Sequence, residues 1–327
     1  MKFIWDRKLL GYLLIAVCIV LVTRHILINK SQLQELSKFS LLHIFLWVLI
    51  NLIHQIVVAF KAMYVCQHLG LKGISKRQWL KIHFTSFFLN HHITQGGKVY
   101  RSIVLKNEFQ FPYTESIAMA TFLVWYEGMF ALSITAFSMW FSRINFIFHG
   151  VDIAVIFMLL LGGFFVSPFL GRFLLGRLNL RNEKLAWLHR KTTDAAKSIF
   201  HCMRSASFII ILTLFSLIAF ALLSASTYIF FDGIGVHFNI GQLYFYSALT
   251  LCIFIFQITP NNFGIAELIY GFLGESVGVA FGNTLLMAGA LRFLFYLVIA
   301  AVTIILNRGL AFLKFSKQLP IKNEFSG

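Results

Sequence analysis

The stretch NHHITQGGKVYR, residues 90–101, closes an apolar segment running from about 79 to 97, with Lys76, Arg77 and Lys81 ahead of it and Lys98, Arg101 and Lys106 behind. Basic flanks stay on the cytoplasmic side of a membrane segment. Both flanks are basic here, so both ends are expected on one face, with the chain entering the membrane and turning back. The break is expected from Asn90, His91 and His92 to Gly96 and Gly97, where turn-forming residues cluster. A second apolar stretch, about 242–279, lies in a region from Asp232 to Asn283 without Lys or Arg, and Pro260, Asn261, Asn262 and Gly264 interrupt it. It reads as a second re-entrant hairpin, dipping from the opposite face. The other reading of each segment is a single bent span, which hydropathy alone does not separate from a hairpin.

Working outward, 59% of the 327 residues are hydrophobic and only 12% are charged, about half the charge of an ordinary soluble domain. A bilayer is therefore the main solvent. Runs long enough to cross about 30 Å of hydrocarbon lie near 9–28, 41–62, 116–141, 153–175, 207–231 and 284–307. The first follows Lys2, Arg7 and Lys8 like a secretory signal but has no small-residue cleavage site, so it reads as a retained helix. With the N-terminus inside, 23 of the 28 Lys and Arg fall in segments left inside and 4 in those left outside, with Arg292 within a span. The fold class is thus an all-α polytopic membrane protein of about six spans plus two re-entrant broken-helix hairpins, both termini cytoplasmic, in a bacterial inner membrane. Residues 1–310 form one membrane domain, 172–204 an amphipathic cytoplasmic segment and 311–327 a short basic tail.

The net charge of +16 follows the positive-inside pattern beside hydrophobic spans, which speaks for anionic lipid headgroups and against nucleic acid. Cys18, Cys66, Cys202 and Cys252 fit neither a disulfide framework nor a zinc spacing and read as packing residues. There is no Walker loop, HExxH, CxxC pair or Asp-x-Asp motif, so no metal or cofactor is expected.

Ionisable groups at membrane depth are costly, about 2.5–3.5 kcal/mol each on insertion scales, and mark function or internal pairing. Glu127 and Arg292 lie near the middle of their spans. They either pair with each other or join Glu267, Lys98 and Arg101 around a headgroup. His43, Asn51, His54 and Lys61 fall on one helical face, expected to look into the bundle. Such side chains either hydrogen-bond neighbouring helices or line a polar path.

In the two interrupted segments the sequence resembles the lysylphosphatidylglycerol synthase transmembrane-domain family, whose membrane region is associated with flipping lipids. In the first family motif Asn90, Gly97 and Arg101 match, whereas Ile93 stands for the usual proline and Lys98 for the usual acid, a charge reversal. In the second, Pro260, Gly264 and Glu267 match and Ala266 stands for an arginine. Lys61, Leu69-Gly70 and Arg292 also look like family positions, while Trp125-Tyr126-Glu127-Gly128 replaces a Glu-Arg pair; the resemblance covers roughly 5–310. Together with the polar residues at membrane depth, it leads to expected substrate contacts at Asn90, Gly97, Lys98, Arg101, Glu127, Pro260, Asn261, Gly264, Glu267 and Arg292, with Lys61, His54 and Asn51 as polar lining. Members that transfer lysine carry a large soluble domain after the membrane region; here the chain runs about 20 residues past the last span, so aminoacyl transfer is not expected.

Three functions remain open on the sequence. The first is a flippase for a membrane phospholipid or polyprenyl-phosphate-linked glycan. The second is an integral-membrane transferase with Glu267 as general base. The third is an accessory subunit of envelope assembly, acting with a partner protein or a second copy of the chain.

Overall fold

The computed structural model describes residues 39–142, 147–148, 151–177, 193, 200, 202–255, 260–262, 264–276 and 278–307. The expected 9–28 span, the 311–327 tail and nearly all of 178–201 lie outside the described residues.

Nine helices account for most of the described chain: α1 Leu41–His68, α2 Lys76–His92, α3 Gly96–Phe109, α4 Tyr113–Ser142, α5 Ile153–Arg177, α6 Ala206–Gly233, α7 Ile240–Ile255, α8 Ile265–Glu275 and α9 Phe281–Leu306. A two-residue antiparallel ladder, Ile147–Phe148 with Val151–Asp152, turns α4 into α5. Among the described residues α1, α4, α6 and α9 are long and apolar enough to cross a membrane. They coincide with four of the expected runs, and α5, 25 residues long, occupies a fifth. At 1.5 Å per residue the 26-residue α9 extends about 39 Å, enough for the hydrocarbon slab with a margin.

Local signals set where these helices begin. Ser40, Ser75 and Ser205 accept from the backbone N–H three residues on and so occupy the N-caps of α1, α2 and α6. At α2 Gln78 reaches back to the Ser75 N–H, completing a capping box.

Helix α1 lies antiparallel on α6, joined by polar contacts along its length: His43 to Asp232, Asn51 to Ser226 and Lys61 to Ser216. The polar stripe on α1 is therefore largely consumed in gluing α1 to α6, as buried polar side chains in a bilayer require. Trp79, fully buried, donates its indole N–H to the Ala59 carbonyl at 2.6 Å and pins α2 to α1. Trp125 does the same between α4 and the Phe164 carbonyl of α5. Cys66, Cys202 and Cys252 are free thiols. Burial pushes the Cys202 thiol up to about 11, which keeps it an unreactive packing group.

Candidate functional site

The first interrupted segment is a helical hairpin. Helix α2 ends at His92, Gln95 takes a left-handed conformation (φ 63°), and α3 runs back along α2. The reversal is tight because Gly97 has no side chain; a Cβ there would collide with the Ser86 carbonyl. Asn90, two residues before the end of α2, accepts from the Gly97 N–H at 2.8 Å, covering an orphan donor at the start of α3 that no adjacent side chain reaches. Asn90 and Gly97 thus form one device holding the turn.

The second interrupted segment also folds back. Tyr246 of α7 bonds to Ser276 beyond the end of α8 at 2.7 Å, so α7 and α8 run alongside each other in opposite directions. Between them Asn261 (φ 46°), Asn262 (φ 55°) and Gly264 (φ 85°) are left-handed. Such a tip exposes backbone groups that a bilayer cannot satisfy. Arg292 of α9 meets this demand: Nη2 donates to the Asn261 carbonyl at 2.5 Å, and Nη1 to the Asn262 carbonyl at 3.4 Å and to Glu267 Oε1 at 2.7 Å. The other oxygen, Glu267 Oε2, accepts from the Gly264 N–H at 2.6 Å. Pro260, Asn262, Gly264 and Glu267 are buried around this clasp. Both Glu267 oxygens are engaged, one by Arg292 and the other by the Gly264 N–H, so the carboxylate holds the tip in shape.

Helix α9 brings the two tips together. The first hairpin packs on its C-terminal half: Thr303 donates to the Phe84 carbonyl at 3.3 Å, Asn307 to Thr85 at 3.0 Å, and Tyr296 bonds to His92 at 3.2 Å. The second packs on its N-terminal half, where Gly271 and Gly274 leave room for Phe281 and Thr284. They meet at Asn261 and His91, whose Nδ2 and Nε2 are 2.7 Å apart. His91 Nδ1 lies 2.9 Å from the Phe87 carbonyl, which fixes the proton on Nδ1 and leaves Nε2 to accept from Asn261. Tyr296 stacks on Phe88 and packs against the His91 and His92 rings. Arg292 is 11 residues from the start of α9 and Tyr296 10 from its end, so the tips meet about 15–17 Å from either end.

Glu127 does not pair with Arg292. It accepts from Lys61 in an ion pair joining α4 to α1, and Ser216 of α6 lies within 3.5 Å of both charges. Tyr126 beside it bonds to Thr213 of α6 at 2.8 Å. Asn51 donates to the Trp47 carbonyl and to Ser226.

Lys98 and Arg101 stand apart from both clusters. No ion pair among the described residues includes either. The Gly97–Ser86 contact sets Arg101 opposite the turn of α2 that holds His83, and the Trp79–Ala59 bond sets His83 level with His54 on α1.

The residues singled out from sequence thus separate into three groups: the two hairpin tips (Asn90 and Gly97 in the first; Pro260, Asn261, Gly264 and Glu267 in the second, with Arg292), interhelical contacts (Asn51, Lys61, Glu127) and a cationic group (Lys98, Arg101, with His54). Sequence reasoning named His91 only as a turn residue and missed Tyr296, His83 and Ser216 as members. Tyr296 is one turn beyond Arg292 and His83 two turns before Asn90, spacings that place each on its partner's face.

A bundle of long apolar helices with two broken hairpins docked on one of them defines a multi-pass membrane protein. The chain belongs to the family described as the lysylphosphatidylglycerol synthase TM region, which matches residues 8–303. That membership makes its function a membrane-lipid-related one. No curated protein and no solved structure matches the chain.

Proposed function

We propose that this protein moves an anionic amphiphile, a phospholipid or a polyprenyl-phosphate-linked glycan, between the leaflets of a bacterial inner membrane. The observation that carries the reading is the meeting of two broken-helix tips at the midpoint of α9, through Asn261 and His91. Each hairpin covers one half of a spanning helix, as two re-entrant segments dipping from opposite faces would. A headgroup crossing the slab loses its hydration, and fixed charges and dipoles near mid-depth replace it. The orientation that leaves 23 Lys and Arg inside and 4 outside puts the first hairpin on the cytoplasmic side, with Lys98 and Arg101 as the first charges an anionic headgroup meets. Arg292 and Glu267 hold the second tip in shape, and movement of one tip against the other opens the path.

The test is translocation in proteoliposomes. Purified protein is reconstituted with a trace of head-labelled fluorescent phosphatidylglycerol, and the inward-facing fraction is followed by bleaching with an impermeant reductant. Bleaching beyond the outer-leaflet half, absent from vesicles with heat-denatured protein, is expected. Bleaching that stops at the same level in both sinks the proposal.

A further inference from the structure

Taking the transport reading as its starting point, we infer that Arg101, His83 and His54 form a buried phosphate-binding site between the first hairpin and α1. This site is distinct from the tip clasp and suits a phosphate-bearing headgroup with no compensating amine.

Three observations converge on it. The acids at membrane depth are already taken: Glu127 by Lys61 and Glu267 by Arg292. Arg101 Nε and His83 Nε2 are buried with no hydrogen-bond partner, although a buried donor left unpaired costs about 1–3 kcal/mol. Moreover, these groups come from three helices and are brought level with one another: the Gly97–Ser86 contact of the antiparallel α2–α3 pair sets Arg101 opposite the turn that holds His83, the Trp79–Ala59 bond sets His83 level with His54 on α1, and Lys98 is one turn before Arg101.

Together these features describe a site left empty of its counter-charge. A structural arginine in a bilayer is matched, as Arg292 is, by a carboxylate and carbonyls. Arg101 instead offers planar guanidinium donors, the geometry that suits a phosphate oxygen pair. The imidazoles of His83 and His54 add neutral N–H donors, and Lys98 adds a second positive charge on the way to the tip. Because no ion pair among the described residues brings a carboxylate to Arg101 or Lys98, a zwitterionic or cationic headgroup would bring its amine into a cationic cluster. An anionic one would relieve the cluster.

The test uses the full-length protein in detergent, with dioctanoyl phosphatidic acid, dioctanoyl phosphatidylethanolamine and dioctanoylglycerol as probes, binding read by microscale thermophoresis. Phosphatidic acid is expected to bind at least about tenfold tighter than the other two. Arg101→Gln is expected to lose about tenfold of that affinity and His83→Ala several-fold. Melting temperature supplies a readout that a structural role would move the other way. Removing a half-buried cation that no carboxylate among the described residues compensates leaves ligand-free Arg101→Gln as stable as the parent or more so, whereas removing a structural one lowers its melting temperature.

Displacement by inorganic phosphate identifies the phosphate group alone as the ligand. Failure to displace identifies phosphate carried on a lipid. Equal affinity for phosphatidylethanolamine, undiminished binding by Arg101→Gln, or an Arg101→Gln protein that melts markedly lower or does not fold would overturn the site. A protein that binds in the expected way but translocates no lipid overturns the transport reading and leaves the site standing.

Discussion

Replacing Arg292 with Met tests whether the second hairpin tip is held by charge. The substitution keeps the length and apolar bulk of the side chain but removes its bonds to Glu267 (2.7 Å), the Asn261 carbonyl (2.5 Å) and the Asn262 carbonyl (3.4 Å). It leaves Glu267, only 4% exposed, as an uncompensated carboxylate. Breaking a buried pair from one side costs about 3–5 kcal/mol. Glu267→Gln retains an oxygen for the Gly264 N–H or Arg292, so its cost is that of weakening charge-assisted hydrogen bonds, about 1.5–3 kcal/mol. The double variant Arg292→Met/Glu267→Gln removes both charges and is expected to lose less than the two single variants together, with a coupling of about 0.5–3 kcal/mol. Unfolding in mixed micelles titrated with sodium dodecyl sulfate, followed by tryptophan fluorescence, gives the three free energies. If the double variant's loss equals the sum of the single losses within about 0.5 kcal/mol, the two side chains do not share the energy assigned to them.

Gly97→Ala sets a methyl group against the Ser86 carbonyl and is expected to cost about 2 kcal/mol or more through overpacking; the same titration reads it, and a loss under half a kilocalorie would mean that the two helices do not approach as closely as described. Lys61→Met and Glu127→Leu are each expected to destabilise by about 3–5 kcal/mol, with the double variant recovering much of the loss, since the pair is buried against Ser216; a double variant worse than both singles would contradict that pairing. For placement of the hairpins, single cysteines are introduced into a cysteine-free protein at Ser75, Gln110, Asn239 and Ser276, all exposed at hairpin ends. An impermeant thiol reagent is expected to label Ser75→Cys and Gln110→Cys only from the cytoplasmic side, and Asn239→Cys and Ser276→Cys only from the other. Labelling of Ser75→Cys and Gln110→Cys from opposite sides would make the first segment a span.

The spans were legible in the sequence because hydropathy reports the solvent of each residue, and four of the runs coincide with helices long enough to cross. The two breaks were legible because Gly96 and Gly97, and Pro260 through Gly264, carry local backbone preferences that act whatever the neighbours do. Hydropathy could not decide whether the chain turns back or merely bends there. The Gly97 to Ser86 approach and the Tyr246 to Ser276 bond fold the helices back on one another at each break, and the thiol labelling tells on which side of the membrane their ends lie.

What the amino-acid sequence alone determined was the solvent, the apolar lengths and the positions where regular helix stops, all properties of residues within one turn of each other. Only the tertiary structure decided which charge answers which. Arg292 found Glu267 rather than Glu127, Glu127 found Lys61, and Arg101 found no acid among the described residues. Such pairings depend on helix register across long separations in the chain, where a rotation of one helix by 100° exchanges every partner. In a low-dielectric core that register separates a satisfied ion pair from a charge awaiting its ligand.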